Sequence, residues 1–249
     1  MPSDALADTD VLVLAGGRGT RLRPVLPDRQ KVVADVSGEP FLARLVRFFA
    51  NSGARRIVFA IGHRAEQVQD FIATCDLADV ELVVSHEERP LGTAGAIRHA
   101  LPLLRGDAFV VANGDSFAAL DLAALVASHR EWRARMTLAL VRVQDVSRYG
   151  SVDITDGSAV RSFVEKSTDA DPPRGGLVNA GIYAMDRGVA VDLPEAVPLS
   201  LERDVLPGLI GHGLFGFVSD APFIDIGTPE SWRAAGDFFD RLEARDLSA

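Results

Sequence analysis

The sequence predicts an α/β protein built on a doubly wound, Rossmann-like mixed sheet. Three observations support this fold class. Short apolar runs rich in β-branched residues alternate with amphipathic helical stretches through the first 145 residues, a glycine-rich turn follows the first run, and shorter segments follow Tyr149. Alternation of this kind is typical of a largely parallel sheet covered by helices on both faces.

Five apolar runs predict buried parallel strands, because each is short, rich in β-branched residues and bounded by polar or turn-forming residues. They are VLVLA from residue 11, RIVFAI from 56, VELVVS from 80, AFVVAN from 108 and MTLALVRV from 136. The first run leads directly into the glycine-rich turn, so that turn is expected at the carboxyl end of a strand.

The segments between these runs fit helices. In residues 40–53, Pro40 suits the first helical turn, Gly53 suits the C-cap, and four apolar residues share one face. Those four residues are Phe41, Leu45, Phe48 and Phe49. This stretch predicts a crossover helix between the first two strands. Similar helices are predicted for residues 65–75, 94–104 and 121–134.

The second half of the chain predicts a mixed sheet that extends the first. SVDIT, AVRSFVEK and LVNAGIYAMD are short strand-like segments separated by Gly, Asp and Pro turns. Residues 169–176 are the most loop-like in the chain, and residues 230–244 predict a closing amphipathic helix. We therefore predict a single domain over residues 1–249, with a first lobe over about 1–145 and a second over about 146–249.

Composition excludes several classes of protein. The chain has 26 Lys and Arg against 35 Asp and Glu, a formal net charge of −9, whereas a nucleic-acid binder needs a broad basic face. The single cysteine, Cys75, lies in a predicted helix, where we expect a small buried hydrophobe in a reducing compartment. Neither a secretion signal nor a span of ~20 apolar residues is present. We expect a cytoplasmic protein with no nucleic-acid or membrane partner.

The glycine-rich turn within residues 11–24 predicts a phosphate site. Glycines let backbone N–H groups approach an anion at the carboxyl end of a parallel strand. Counted from Gly17, the sequence lacks the third glycine of the G-x-G-x-x-G pattern that is typical of dinucleotide-binding loops. The Walker pattern of nucleotide-binding loops is also absent. What remains is a set of cations interleaved with glycines, namely Arg18, Arg21, Arg23 and Lys31. Solvated loop charges are the alternative, but chemistry on phosphate fits this pattern better.

Seven motifs occur in order along nearly the whole chain: LAGGRGTRLRP…K, EERPLGTAGAIRHAL, NGD, FVEK, NAGIY, SLERDVLP and FIDIGTPE. With them the chain resembles the nucleoside-diphosphate-sugar pyrophosphorylases, and most of all the mannose-1-phosphate and D-glycero-α-D-manno-heptose-1-phosphate guanylyltransferases. The resemblance implies a glycosyltransferase-A-like nucleotidyltransferase fold with a sugar-binding second lobe.

Two features depart from the family pattern. The family usually has proline before the motif lysine, whereas Gln30 precedes Lys31 here. Because proline restricts the backbone, we expect a less rigid loop at this point. The chain also ends soon after FIDIG, so we expect neither the β-helix nor the second domain of longer relatives, and no attached acyltransferase or hexose isomerase.

The resemblance implies a nucleotide site built from two loops. The first loop wraps the triphosphate, through Ala15, Gly16, Gly17, Gly19 and Thr20. The second loop reads the base, through Gly92, Thr93 and Gly95, and Gly62 resembles another base-side position. For Thr93, an ordinary helix N-cap is an alternative that is compatible with nucleotide binding.

Two aspartates are candidates for a Mg²⁺ site. Asp115 follows a predicted strand in ANGDS and should emerge at the ligand-binding edge of the sheet, although N-G-D is also an ordinary turn and cap sequence. Asp225 lies between apolar residues in FIDIG, where an ionised side chain is costly unless a cation or several donors meet it. The family pattern implies that both carboxylates are metal ligands.

The sugar side is carried by the second lobe in relatives. By resemblance, Glu165 accepts hydrogen bonds from sugar hydroxyls, Lys166 meets the sugar phosphate, and Asn179 shapes the pocket with the backbones of Gly150 and Gly181. Tyr149 and Glu202 are further candidates to line this site. For Glu165 and Lys166, an ordinary solvated pair on a strand is the alternative.

The resemblance implies nucleotidyl transfer from a nucleoside triphosphate, with GTP favoured, to mannose 1-phosphate or D-glycero-α-D-manno-heptose 1-phosphate. The catalytic candidates are Arg21 for the leaving pyrophosphate, Lys31 for the transferred phosphoryl group, and Asp115 through Mg²⁺. The alternatives are thymidylyl, uridylyl or cytidylyl transfer on the same fold, and a non-catalytic nucleotide-sugar sensor. A homo-oligomer is compatible with the sequence, which does not fix the oligomeric state.

Overall fold

The computed structural model describes residues 6–75, 77, 79–146, 149–164, 174–195 and 197–246, without the side chains of residues 174, 245 and 246. Its strands are β1 Val11–Leu14, β2 Asp35–Val36, β3 Glu39–Pro40, β4 Arg56–Ile61, β5 Glu81–His86, β6 Ala108–Asn113, β7 Ser116–Ala118, β8 Met136–Asp145, β9 Ser151–Ile154, β10 Val160–Val164, β11 Arg174–Asp186, β12 Leu214–Ser219 and β13 Phe223–Asp225. Its α-helices are α1 Phe41–Asn51, α2 Ala65–Thr74, α3 Gly92–Ala100, α4 Leu122–Glu131, α5 Arg187–Val191, α6 Leu206–Leu209 and α7 Pro229–Asp246. Short 3₁₀ turns cover Lys31–Val33 and Leu101–Leu103, and a π-helical turn covers Leu201–Val205.

The centre of the fold is a parallel group of strands in the order β5, β4, β1, β6. All three apolar residues at the start of β1, Val11, Leu12 and Val13, are fully buried, as are most residues of β4. Strands buried on both faces carry continuous apolar runs, which is why the sequence identified β1, β4 and β6. The predicted α/β class with a doubly wound mixed sheet is confirmed.

The long strand β11 joins the two halves of the sheet. On one side it pairs antiparallel with β8, and on the other it pairs with β9 near its start and with β6 near its end. The register against β8 shifts between Asn179 and Tyr183. Gly181 lies in this shift with a φ of +74°, a backbone conformation that favours glycine. Nine strands of the described residues thus form one sheet.

Two strand predictions are corrected by the structure. The run from residue 136 was expected among the parallel strands, but β8 lies beyond β11, antiparallel to β11 and parallel to β12. A continuous apolar run indicates that a strand is buried on both faces. It does not indicate whether the neighbouring strands are parallel or antiparallel to it. The run from residue 80 was expected to be buried, but β5 is an edge strand in which only Ser85 is buried.

Helices cover both faces of the sheet and create two cores. On one face, the rings of Phe41 from α1 and Phe239 from α7 pack edge to face, with 6.0 Å between their centroids. The ring of Phe117 also packs against that of Phe239, with 5.0 Å between their centroids. Cys75 was expected inside a helix as a buried hydrophobe, but it caps the end of α2 and is partly exposed. Where the chain is described, none of its helices combines the length and apolar character of a membrane span.

The carboxyl ends of β1, β4 and β6 lie at one edge of the sheet, because the three strands are parallel. A small ribbon of β7 and β13 extends this edge, pairing Asp225 with Ser116. The N–H of Ile226 also donates to the carbonyl of Asp115 at 2.9 Å. The fold therefore brings the segment after β6 and the segment near residue 225 to the same edge.

Candidate active site

The glycine-rich turn leaves β1 at this edge and lines a cavity of about 290 Å³. The N–H of Ala15 donates to the carbonyl of Ala60 at 2.8 Å, which continues the pairing of β1 with β4 by one residue. Beyond it, Gly16, Gly17 and Arg18 form one wall. The cavity is further lined by Lys31, Glu87, Gly92, Thr93, Asn113 and Asp115. This is the cavity that the predicted nucleotide-binding loops share.

Lys31 and Asp115 meet as an ion pair in this cavity. Asp115 reaches Lys31 because the chain turns tightly after β6, where the N–H of Gly114 donates to the carbonyl of Leu14 at 3.0 Å. A Cβ at Gly114 would lie 2.8 Å from that carbonyl oxygen, so the turn requires glycine. In the NGD motif, Gly114 thus allows the close backbone contact, and Asp115 carries the charge.

Gln30, the residue before Lys31, has contacts that argue against the less rigid loop expected at this position. The absence of proline here was expected to loosen the loop, but the Gln30 side chain is buried and hydrogen-bonds the carbonyls of Ala15 and Gly17 and the N–H of Val32. These bonds tie the glycine-rich turn to the 3₁₀ turn that carries Lys31. Hydrogen bonds therefore supply the restraint for which proline was thought necessary.

A second cavity of about 210 Å³ opens beside the first. The residues lining it come mostly from the second half of the chain and include Tyr149, Gly150, Asn179, Gly181, Glu202 and Asp225. Gly150 is held near Asn179, whose N–H donates to the Gly150 carbonyl at 3.2 Å. Glu165 and Lys166, two further predicted sugar-site residues, lie outside the described residues.

Asn113 lies where the two cavities meet, because it lines both of them. Its side-chain oxygen is buried and has no hydrogen-bond partner among the residues that the structure describes. Since buried polar atoms are nearly always paired, this oxygen marks a place where a ligand or ion would be accommodated. Asn113 was not among the predicted site residues, and the signal available in the sequence was its position at a strand end in the NGD motif.

Asp115 and Asp225 come to neighbouring backbone positions although they are far apart in sequence. The pairing of β7 with β13 places their backbones side by side, with Asp115 lining the first cavity and Asp225 the second. Asp225 also accepts a hydrogen bond from the N–H of Gly227 at 2.9 Å. Two carboxylates and the amide oxygen of Asn113 are hard oxygen donors that fit Mg²⁺. The described residues contain no cluster of three His, Cys, Asp or Glu side chains, so substrate oxygens would have to complete such a site.

Glu87 is a half-buried acid that sequence analysis missed. Burial raises the pKa of its carboxyl group above the ordinary value, and the hydrogen bond from the N–H of Leu91 only partly opposes this shift. A Cβ at Gly16 would lie 2.7 Å from one Glu87 oxygen, and a Cβ at Gly62 would lie 2.6 Å from it. These two glycines make room for the carboxylate. The signal available in the sequence was the first acid of the EERPLG motif.

The glycines of the second loop serve packing as well as the cavity. Gly92 has a φ of +71°, and a Cβ there would lie 2.3 Å from the carbonyl oxygen of Leu199. A Cβ at Gly95 would lie 2.7 Å from the carbonyl oxygen of Val197. Gly92 lines the first cavity, whereas Gly95 is buried behind it against residues 197–199. Helix α3 thus begins in direct contact with another segment of the chain.

Thr93 does not act as the N-cap that sequence analysis considered, because α3 begins at Gly92 and its N-cap is Leu91. Instead its hydroxyl donates to Glu202 at 3.1 Å and accepts from the N–H of Leu201 at 2.7 Å. Glu202 in turn accepts from the hydroxyl of Tyr183 at 3.3 Å, and that hydroxyl accepts from Asn179 at 2.7 Å. A chain of hydrogen bonds therefore runs from the first cavity to the second.

Tyr183 lies at the centre of this series of hydrogen bonds, and its side chain has no exposed surface. Burial raises the pKa of its hydroxyl well above the ordinary value, and the charge of Glu202 raises it further. The phenol therefore stays protonated and can donate to Glu202. Sequence analysis did not identify Tyr183, since a tyrosine within an apolar strand indicates only the core.

The remaining predicted residues lie around the first loop. Gly19 has a φ of +57°, and a Cβ there would lie 3.4 Å from the Cβ of Lys31. Thr20 and Arg21 are exposed. Arg21 lines the second cavity, not the first, whereas Arg18 lines the first. Arg21, which the resemblance assigns to the leaving pyrophosphate, therefore lies at the cavity predicted for the sugar.

Comparison with known proteins gives consistent matches. A family model described as nucleotidyl transferase matches residues 10–240. The chain is 35% identical to a mannose-1-phosphate guanylyltransferase of Mycobacterium tuberculosis, over 92% of this chain and 64% of that protein. It is 31% identical to a D-glycero-α-D-manno-heptose 1-phosphate guanylyltransferase of Aneurinibacillus thermoaerophilus, over 91% of this chain and 96% of that one. The chain therefore spans about two thirds of the mycobacterial relative and nearly all of the other.

Solved structures agree in fold. HddC from Yersinia pseudotuberculosis, complexed with GMP-PN, superposes with a TM-score of 0.83 and 35% identity, covering 93% of this chain and 99% of that one. A putative glucose-1-phosphate thymidylyltransferase from Bacillus anthracis superposes with a TM-score of 0.80 at 22% identity, covering 92% and 94%. At that identity the second match supports the fold alone.

The hydrogen-bonded chain predicts energetic coupling between Thr93 and Tyr183. Thr93→Val and Tyr183→Phe should each lower the free energy of unfolding by about 1 kcal/mol, because each removes hydrogen bonds from a partly buried network. Since both residues bond Glu202, a double-mutant cycle in urea should give a coupling free energy of at least ~0.5 kcal/mol. The exposed Thr74 supplies the control, and Thr74→Val combined with Tyr183→Phe should be additive. Additivity of Thr93→Val and Tyr183→Phe would contradict the network.

Proposed function

This chain belongs to the nucleotidyl transferase family, and on that premise we propose that it is a sugar-1-phosphate guanylyltransferase. It joins GTP to a sugar 1-phosphate and releases pyrophosphate. The two relatives named above act on mannose 1-phosphate and on D-glycero-α-D-manno-heptose 1-phosphate. The acceptor proposed here is accordingly a sugar 1-phosphate of the manno configuration, either hexose or heptose.

The observation that carries this proposal is the junction of two cavities at Asn113. One cavity has the glycine-rich turn and Lys31, and the other has Asn179 and Asp225 from the second half of the chain. Transfer between two substrates requires that both be held with their reacting atoms in contact. Two cavities that share a wall provide this arrangement, whereas a module that binds one nucleotide needs only the first.

The transfer needs no covalent enzyme intermediate. An oxygen of the sugar phosphate attacks the α-phosphorus of GTP, the bond from that phosphorus to the bridging oxygen breaks, and pyrophosphate leaves with the electron pair. In this proposal the N–H groups of the glycine-rich turn hold the triphosphate, and the Lys31 ammonium neutralises charge on the transferred phosphoryl group. Arg18 and Arg21, one at each cavity, add positive charge for the phosphates of the two substrates.

The same proposal includes Mg²⁺ held by Asp115 and Asp225, with the Asn113 oxygen beside them. A bound Mg²⁺ would neutralise charge on the phosphate oxygens. Lys31 and Asp115 form an ion pair, so the two residues place opposite charges at one point of the cavity. This proximity suits a site that must hold both a phosphate and a divalent cation.

Glu87 supports the choice of guanine. Guanine presents two adjacent donors, N1–H and the 2-amino group, which a carboxylate can accept together. Uracil and thymine present one N–H between two carbonyl oxygens, which a carboxylate repels. A half-buried carboxyl group with a raised pKa gains more from two donors than an exposed one would, because water already solvates an exposed carboxylate. The site therefore favours GTP over UTP or dTTP.

Turnover with a panel of substrates tests the proposal. We expect pyrophosphate release to be fastest, by kcat/KM, with GTP and a manno-configured sugar 1-phosphate. A higher kcat/KM with dTTP, UTP or CTP would contradict the guanylyl assignment and leave nucleotidyl transfer intact. Binding of a nucleotide sugar without pyrophosphate release from any pair would instead support the sensor alternative.

Glu87→Gln tests base recognition, since it keeps the size of the side chain and removes its charge. We expect kcat/KM for GTP to fall roughly 10- to 100-fold, as charged hydrogen bonds are lost. The preference for GTP over inosine triphosphate, which lacks the 2-amino group, should shrink in parallel. Glu88→Gln is the matched control, because Glu88 is exposed and does not line this cavity. An unchanged ratio of GTP to inosine triphosphate would remove Glu87 from the base site.

Asp225→Asn tests the metal site with little change in size. We expect the Mg²⁺ concentration for half-maximal rate to rise and turnover to slow by at least ~100-fold, about 2.7 kcal/mol of transition-state stabilisation. Binding of Mn²⁺ to the GTP complex, followed by electron paramagnetic resonance, should weaken in parallel, with the melting temperature nearly unchanged. Asp220→Asn is the control, because Asp220 is exposed near the same ribbon. Wild-type Mg²⁺ dependence in Asp225→Asn would make Asp225 a structural acid.

A further inference from the structure

Gln30 is one of the few polar residues that the fold buries, with 2% of its surface exposed. Its side-chain nitrogen donates to the carbonyl of Ala15 at 2.6 Å and to that of Gly17 at 3.3 Å. Its side-chain oxygen accepts from the N–H of Val32 at 2.7 Å. The side chain therefore joins the two segments that line the first cavity at its phosphate-binding end.

The orientation of the Gln30 amide follows from its partners. Two carbonyl oxygens face one end of the amide and one N–H faces the other, so exchange of its oxygen and nitrogen would break all three bonds. The main-chain N–H of Gln30 is also used, since it donates to the side-chain oxygen of Gln67 on α2 at 2.7 Å. Every one of these bonds except the one to Val32 spans more than ten residues of sequence.

The backbone at Gln30 has the conformation that proline would impose, with φ −69° and ψ 132°. A proline here would keep that conformation but could neither donate to Gln67 nor reach the glycine-rich turn. Glutamine therefore adds a connection to the loop that proline could not supply. The departure from the family pattern has a structural consequence specific to this chain.

The two bonds to carbonyls also orient the N–H groups of the turn. In a planar trans peptide the C=O and the following N–H point in opposite directions. When Gln30 holds the carbonyls of Ala15 and Gly17, the N–H groups of Gly16 and Arg18 point away from it. N–H groups fixed in advance bind phosphate without the entropic cost of ordering the loop.

We propose that Gln30 is a positioning residue, which fixes the glycine-rich turn and Lys31 as one rigid unit for the triphosphate. The inference rests on the proposed function in that the ligand of the turn is GTP. Gln30 acts through the turn, so its removal should affect the nucleotide and leave the sugar phosphate unaffected. A purely structural role would lower stability without that selectivity.

Gln30→Met tests this proposal, because methionine has a similar shape and keeps the main-chain N–H but forms none of the side-chain bonds. We expect KM for GTP to rise roughly tenfold, as for the loss of one or two hydrogen bonds. KM for the sugar 1-phosphate should stay within about twofold, since none of these bonds reaches the second cavity. Gln69→Met is the matched control, as Gln69 is exposed on α2. Equal changes in both KM values, or none, would overturn the proposal.

Hydrogen exchange on the nucleotide-free protein gives a readout that is independent of turnover. The amides of Ala15 and His63, which donate to the carbonyls of Ala60 and Gly16, should exchange faster in Gln30→Met than in the wild type, and at wild-type rates in Gln69→Met. Gln30→Glu, measured at a pH high enough to ionise the carboxyl group, separates the two ends of the side chain, because the carboxylate can still accept from Val32 but cannot donate to the turn. It should resemble Gln30→Met, and wild-type exchange in Gln30→Glu would overturn the role of the carbonyl bonds.

The two measurements separate this inference from the proposed function. If the wild type transfers guanylyl groups while both Gln30 variants retain wild-type KM and exchange, the positioning role is wrong and the function stands. If the wild type shows no transfer, the function is wrong, and the exchange rates alone decide whether Gln30 orders the turn.

Discussion

The parallel pairing of β1 with β4 and β6 is the constraint on which the rest of the site depends. Together with the parallel pairing of β4 and β5, it places four strand ends at one edge, so that the glycine-rich turn, Glu87 and Asp115 can face one cavity. The contact of Gly114 with the carbonyl of Leu14 then fixes the turn after β6. A backbone hydrogen bond at this point cannot be moved without separating β1 from β6. The ion pair of Lys31 and Asp115 is thus a consequence of sheet pairing.

The second cavity depends on β11 in the same way. This strand pairs with β6 at one end and with β9 at the other. It therefore carries Asn179 and Gly181, from the second half of the chain, to the edge where the carboxyl ends of β1, β4 and β6 lie. The register shift around Gly181 interrupts the pairing with β8, which resumes at Tyr183, and Gly181 lines the cavity at this point. The buried chain through Tyr183 and Glu202 then links this cavity to Thr93. The two cavities are therefore joined by a continuous series of hydrogen bonds.

The two cavities hold charges of both signs. Arg18, Arg21 and Lys31 line them. The carboxylates of Glu87, Asp115, Glu202 and Asp225 line them as well, so each cation lies near an acidic side chain. Burial raises the pKa of the Glu87 carboxyl group, and shifts of this kind are frequent at functional sites.

The sequence by itself determined the elements and the positions of the loops. The apolar runs of β1, β4 and β6 and the amphipathic face of α1 are local patterns, and the glycines and cations after Leu14 predict a phosphate-binding turn. The resemblance added Asp115 and Asp225, which the ribbon of β7 and β13 brings together. These features could be predicted because each is expressed within a short stretch of chain.

Only the tertiary structure decided which distant residues meet. The place of β8 beyond β11, the burial of Gln30 against Ala15 and Gly17, the contact of Gly95 with Val197, and the hydrogen bonds of Tyr183 all join segments that are remote in sequence. A glutamine, a glycine or a tyrosine has the same local signature whether it faces solvent, packing or a ligand. Its role is set by the partners that strand order and register bring to it, and the hydrophobic pattern of a single sequence does not encode that order.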